Sequence, residues 1–113
     1  DKSPDQVLEL YKYVVSIIRE KYPTVPITWL AINPSPKRWA VWYQINEANQ
    51  AIKAYAARGT NLFYIDAGQR FLDKDGKPDA SLYVEDNLHF NDKAYALWGA
   101  AIRTEVASIA NKK

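Results

Sequence analysis

The chain has 113 residues, an apolar share of 48% and a net charge of +2, and it contains neither cysteine nor methionine. This length predicts one domain over residues 1–113, and no apolar run approaches the roughly 20 residues of a membrane span. The positive charges are scattered apart from the adjacent pairs Lys37–Arg38 and Lys112–Lys113, which argues against a nucleic-acid-binding surface, since such a surface normally needs clustered basic residues.

The first predicted helix begins at the segment SPDQ, residues 3–6, which has the features of a helix start. A serine is placed to cap the helix, a proline fits its first position, and the glutamine completes a capping box. Apolar residues then recur at three- and four-residue intervals from Val7 to Ile18, as on a helix with one buried face. Two prolines, Pro23 and Pro26, end the helix.

The rest of the chain alternates between apolar runs and amphipathic segments. Residues 27–32, ITWLAI, predict a strand buried on both faces. A second helix is predicted from about Lys37 or Trp39 to Arg58, with Gly59 as its C-terminal stop. Residues 61–66, NLFYID, predict a second strand, and a polar loop then leads to a last helix capped by Asn91.

The element order α-β-α-β-α predicts the α/β class, because a helical crossover between two strands makes them parallel. Two parallel strands alone leave bare apolar edges, which are a liability in a monomer. We therefore expect a homo-oligomer, a dimer or a tetramer, that completes the sheet between subunits.

The candidate functional residues follow the two strands, since ligands of open α/β sheets bind beyond the carboxyl ends of the strands. The first loop, NPSPKRW, offers Asn33, Ser35, Arg38 and Trp39, and the second region contains His89, the only histidine in the chain. Asn33, Arg38 and Trp39 are candidate substrate-binding residues.

The spacing Asp86-x-x-His89 suits a catalytic base. A carboxylate three residues earlier can hold the imidazole Nδ1–H, which leaves Nε2 free to accept a proton from a serine hydroxyl. The alternative is a structural histidine near a helix start, with an incidental acid beside it. Asp66, at the end of the second strand, is a second candidate for orienting the ring, or a cap for the following loop.

Two serines are candidate nucleophiles. Ser35 lies between Pro34 and Pro36, which stiffen its backbone and could present its hydroxyl, although the same pattern is typical of a rigid turn. Ser81 is nearer to His89 in sequence. The pattern predicts no metal site and no cofactor, because one histidine with dispersed acids does not form a zinc constellation and DKDGKPD lacks the spacing of a calcium loop.

Several blocks resemble the carboxyl-terminal half of an SGNH (GDSL-type) hydrolase. They are PITWLAINPSPKRWAVW, NEANQAIKAYA and NLFYIDAGQRFLDKDGKPDASLYVEDNLHFNDKAYALW, which together cover nearly the whole chain. The resemblance implies a truncated flavodoxin-like α/β/α layer, with His89 as general base and Asp86 as the residue that orients it. The family's Gly-Asp-Ser block, which carries its nucleophile, does not occur in this sequence.

The resemblance assigns the family's nucleophile to no residue of this chain, but it implies hydrolysis of acyl esters. We therefore expect a small serine esterase that acts on short acyl esters through an acyl-enzyme. Ser35 is the expected replacement nucleophile, because its loop follows the first strand on the same rim as His89. The alternative is an inactive remnant, or half of a split hydrolase, that serves as an oligomeric binding module.

Overall fold

The structure is a computed structural model that describes residues 2–111. Asp1 and the basic pair Lys112–Lys113 lie outside the described residues. Within the described residues, three α-helices and two strands follow one another, namely α1 (Pro4–Lys21), β1 (Ile27–Leu30), α2 (Trp42–Arg58), β2 (Leu62–Ile65) and α3 (Asp92–Asn111), and three short 3-10 helices lie in the connections (Trp39–Val41, Gly68–Phe71 and Ala80–Leu82). The predicted order α-β-α-β-α is therefore confirmed. Within residues 2–111, no helix has the length and apolar character needed to cross a membrane.

The sheet consists of β1 and β2 in parallel. The N–H of Ile27 donates to the carbonyl of Asn61 at 2.9 Å, and further along both strands the N–H of Ala31 donates to the carbonyl of Ile65 at 2.9 Å. Hydrogen bonds that advance in the same direction on both strands are those of a parallel pair. The α/β class with parallel strands is thus confirmed.

One strand differs from its prediction. Burial alternates along β1, with Thr28 and Leu30 exposed and Ile27 and Trp29 partly covered. Burial on both faces was the wrong prediction, because only the face with Ile27 and Trp29 packs against apolar helix residues. Alternating burial is what a strand shows when one of its faces is left open.

Contacts divide the chain into two compact units. The first contains residues 2–30 and 43–64, and its buried core joins Tyr11 and Val15 of α1 to Ile52 of α2. The Tyr11 ring meets Trp29 edge-on at a centroid distance of 5.7 Å. The predicted capping box of α1 is confirmed, since Ser3 and Gln6 exchange side-chain and backbone hydrogen bonds.

The second unit contains residues 31–42 and 65–111, and it holds every candidate site residue. Phe71 is fully buried at its centre and stacks on Phe90 at a centroid distance of 4.6 Å. Asn91 caps α3 as predicted, because its Oδ1 accepts the N–H of Ala94 at 3.0 Å. One domain over residues 1–113 and a homo-oligomer both stay predictions.

Phe71 should be essential to the second unit. Phe71→Ala removes a fully buried ring, and we expect the free energy of unfolding to fall by about 3–5 kcal/mol. Urea unfolding followed by circular dichroism measures the loss. Tyr43→Ala is the control, because Tyr43 is 68% exposed and its loss should change stability by no more than about 0.5 kcal/mol. Equal effects of the two substitutions would contradict the core described here.

Candidate active site

His89 lies on a short hairpin, residues 83–90, which we call the histidine hairpin. Tyr83 and Phe90 form an antiparallel bridge at its base, and the N–H of Val84 donates to the carbonyl of His89 at 2.9 Å. Asn87, at the turn, has a φ of 59°, a left-handed conformation that asparagine tolerates better than most residues. The hairpin thereby fixes the backbone on both sides of the histidine.

Asp86 uses its two carboxylate oxygens for different purposes. Oδ1 accepts the backbone N–H groups of Leu88 at 2.9 Å and His89 at 3.0 Å, which closes the turn. Oδ2 lies 2.6 Å from Nδ1 of the His89 ring. The same side chain therefore builds the turn and orients the imidazole.

These hydrogen bonds keep the carboxylate ionised. The bond with the His89 side chain, followed by those from the two backbone N–H groups, holds the pKa of Asp86 well below its ordinary value of 3.8. A carboxylate can only accept hydrogen bonds, so Nδ1 of His89 carries the proton. In the neutral ring Nε2 is then the proton acceptor. The His89 side chain is 71% exposed, and no described residue hydrogen-bonds Nε2.

The first predicted loop lies directly beside the histidine hairpin. We call residues 33–38 the serine loop. The N–H of Lys37 donates to the carbonyl of Asn87 at 3.1 Å, which joins the two segments. Ser35 is only 4% exposed, and its Oγ accepts the N–H of Arg38 at 3.3 Å. Within residues 2–111, no hydrogen bond joins Ser35 Oγ to the imidazole, so Ser35 caps the turn of its own loop.

The candidate substrate-binding residues are all on or next to the serine loop. Asn33 has its Oδ1 buried without a hydrogen-bond partner among the described residues, and the Arg38 side chain is exposed. Trp39 is partly buried and stacks on Trp42, with centroids 6.2 Å apart and planes 15° from parallel.

The two alternative candidates have local partners of their own. Ser81 Oγ donates to Asp79 Oδ1 at 2.7 Å, a bond that lowers the pKa of Asp79. Asp66 accepts the N–H of Gly68 at 2.7 Å and so caps the loop after β2. Within residues 2–111, no group of three or more histidine, aspartate or glutamate side chains is arranged to hold a metal ion.

One residue of this region was not singled out from the sequence. The buried hydroxyl of Tyr83 donates to the carbonyl oxygen of Pro34, and so links the histidine hairpin to the serine loop. Burial, with a smaller contribution from the Asp79 carboxylate, raises the pKa of Tyr83 to about 12. In the sequence, Tyr83 looks like an aromatic residue of the core. Only its hydroxyl group indicated that it could also form a hydrogen bond with a distant segment.

Comparison with known proteins identifies the family. The sequence profile of the GDSL-like lipase/acylhydrolase family matches residues 1–97. The chain belongs to this family. No curated protein sequence matches the chain.

The fold of this GDSL-like family member also resembles a solved structure. That structure is of a protein from Streptococcus pneumonia provisionally named a platelet activating factor, with a TM-score of 0.77 and 19% sequence identity. The match covers 90% of this chain and 51% of that protein. The GDSL-like chain thus spans about half the length of its structural relative, and an identity this low supports the fold alone.

The hydrogen bonds of Asp86 should make the stability of the folded chain depend on pH in acidic solution. Because folding lowers the pKa of Asp86, its ionised form stabilises the folded chain above pH 3.8, and this contribution declines as the pH falls towards the folded-state pKa. We expect wild type to melt above Asp86→Asn at pH 5, by a small margin that narrows between pH 4 and pH 2. Water and salt around the exposed carboxylate keep the margin small.

Thermal melts of both proteins at low ionic strength measure this margin. Glu85→Gln is the matched control, because Glu85 is an exposed neighbour with no hydrogen bond among the described residues. A wild-type advantage over Asp86→Asn that stays constant down to pH 2 would contradict the assigned bonds.

Proposed function

We propose that this chain carries the general base of an acyl-ester hydrolase, with His89 as the base and Asp86 as the residue that orients it. The observation that carries the proposal is the 2.6 Å contact between Asp86 Oδ2 and His89 Nδ1 in a member of an acylhydrolase family. A histidine held in this way presents Nε2 to a hydroxyl, which is the arrangement that serine hydrolases need.

The proposed reaction has two steps. As a serine Oγ attacks the ester carbonyl carbon, His89 Nε2 takes the hydroxyl proton and then gives it to the departing alcohol, which leaves an acyl-serine. Water then attacks the acyl carbon, His89 Nε2 takes a proton from this water and gives it to serine Oγ, and the carbon–Oγ bond breaks to release the carboxylic acid and the free serine. Asp86 stays ionised throughout because its pKa is held low, and its charge stabilises the imidazolium formed in each step.

Ser35 is the proposed nucleophile, since it lies on the loop that adjoins the histidine hairpin. Short acyl esters are the proposed substrate class, because a site built on about half of the relative's length has few walls with which to bind a long acyl chain. The Asn33 amide or backbone N–H groups of the serine loop would stabilise the oxyanion. Arg38 and Trp39 would contact the rest of the substrate.

A second candidate function has an observation in its favour. The His89 side chain is 71% exposed, whereas Ser35 is almost closed to solvent and bonded within its own loop. This contrast favours a site in which another polypeptide brings the serine to His89. The chain would then act as half of a split hydrolase, or as an oligomeric binding module without turnover of its own.

Labelling with a fluorophosphonate tests the proposal, because this probe reacts with an activated serine without requiring the natural substrate. We expect one adduct on Ser35, found by intact mass and peptide mapping. His89→Ala should slow its formation at least about 100-fold, the usual contribution of a general base. Ser35→Ala should abolish it, and Ser81→Ala, the matched control on the neighbouring segment, should leave it unchanged.

The other outcomes separate the candidates. An adduct on Ser81 would keep the hydrolase and reject Ser35 as its nucleophile. No adduct on the chain alone, with labelling restored when a Gly-Asp-Ser-containing amino-terminal half is added, would favour the split hydrolase. No adduct in either case would favour the binding module. Circular dichroism melts of all variants establish that a lost signal does not reflect unfolding.

A further inference from the structure

The serine loop and the histidine hairpin are joined by two hydrogen bonds of different kinds. One is the backbone bond from Lys37 N–H to Asn87 carbonyl at 3.1 Å. The other is the bond from the Tyr83 hydroxyl to the Pro34 carbonyl, which is buried. The backbone bond lies at the outer, exposed end of the contact, since Lys37 and Asn87 are both exposed. The tyrosine bond is protected from competing water, so it is the more constraining of the two.

Tyr83 is itself held firmly. It is 6% exposed, and its ring packs edge-on against Phe90 at a centroid distance of 5.7 Å. Phe90 in turn stacks on the fully buried Phe71. A tyrosine has only two main side-chain torsions, and burial within this close-packed cluster restricts both. The position of its hydroxyl is therefore set by the core of the unit.

The Pro34 carbonyl, which accepts the bond from the Tyr83 hydroxyl, belongs to the peptide group that leads into Ser35. The carbonyl of Pro34 and the N–H of Ser35 lie in one rigid peptide plane, so holding the carbonyl also fixes the direction of the Ser35 N–H. Asp86 and His89 follow Tyr83 by three and six residues on the histidine hairpin. One side chain thus connects the backbone of the candidate nucleophile to the segment that carries the base.

We propose that Tyr83 is a positioning residue that sets the serine loop against the histidine hairpin, an inference that rests on the proposed ester hydrolysis at this site. Within residues 2–111, no hydrogen bond joins Tyr83 to the imidazole or to the Ser35 hydroxyl, so it acts through the Pro34–Ser35 peptide. The raised pKa of its hydroxyl keeps the donor protonated over the whole range of ordinary assay conditions.

The test uses Tyr83→Phe, which removes the hydroxyl and keeps the ring. Amide hydrogen exchange measured by NMR gives a readout that does not depend on activity. We expect the Lys37 amide, whose bond spans the two segments, to lose about 10-fold in protection when the tyrosine bond is removed. The Ala31 amide, bonded to Ile65 in the same unit, should keep its protection. A purely structural loss of stability would lower both.

The catalytic readout is turnover of a short activated ester. We expect kcat to fall about 10-fold in Tyr83→Phe with little change in KM, because the reacting groups are misaligned while the substrate contacts remain. Tyr11→Phe is the matched control, since the Tyr11 hydroxyl is buried without a partner among the described residues and lies in the other unit.

The outcomes distinguish this inference from the proposed function. Selective loss of Lys37 protection together with a lower kcat supports it. Equal loss at Lys37 and Ala31, or no loss at Lys37, overturns it whatever the activity. If wild type hydrolyses no ester and labels no serine, the proposed function fails. In that case, a loss of amide protection at Lys37 but not at Ala31 would still support Tyr83 as the residue that holds the two segments together. Only the effect of Tyr83 on catalysis would be overturned, by the absence of activity in wild type.

Discussion

The contact between Asp86 and His89 is the interaction on which the site depends, because one carboxylate fixes both the turn and the ring. Its Oδ1 accepts two backbone N–H groups, and its Oδ2 holds Nδ1 of the imidazole at 2.6 Å. The three bonds come from only two adjacent residues, Leu88 and His89, so the geometry forms without a distant element. This local origin explains how a side chain that is 71% exposed can still be oriented. The same hydrogen bonds lower the pKa of Asp86.

The packing behind the hairpin gives this local geometry its place in the unit. The aromatic residues Phe71, Tyr83 and Phe90 hold the base of the hairpin, and Tyr83 reaches the Pro34 carbonyl. The serine loop adds the bond from Lys37 to Asn87. The buried aromatic core thus supports both segments, although the imidazole on the histidine hairpin is exposed and the serine on the serine loop is almost fully buried. This difference in access is the observation that distinguishes the two candidate functions.

The features that the sequence predicted well are those set by neighbouring residues. The capping box of α1, the Asn91 cap of α3 and the order of the five elements depend on short-range patterns, and the structure has them. Asp-x-x-His is likewise a spacing of three residues, and its geometry forms within one turn. The match to the GDSL-like family profile agrees with the resemblance of the three longer sequence blocks to that family.

The features that the sequence could not provide depend on contacts between distant segments. The apolar run ITWLAI looks the same whether one face of the strand is covered or both, so the exposure of Thr28 and Leu30 was missed. The Pro-Ser-Pro pattern indicates a stiff turn, but it does not say that Ser35 is turned inwards to cap Arg38. Tyr83 was missed because a buried tyrosine and a buried phenylalanine follow the same pattern, and only the position of Pro34 reveals the use of the hydroxyl.

In the proposed site, Asp86 holds His89 with the proton on Nδ1 and with Nε2 free to act as a base. The most direct measurement is the nitrogen-15 NMR spectrum of the imidazole, which is unambiguous because the chain has one histidine. In the neutral ring we expect a protonated Nδ1 and an unprotonated Nε2 in wild type, and a shift towards protonated Nε2 in Asp86→Ala. A wild-type ring with its proton on Nε2, or a ring unaffected by the loss of Asp86, would show that Asp86 does not set the position of the proton.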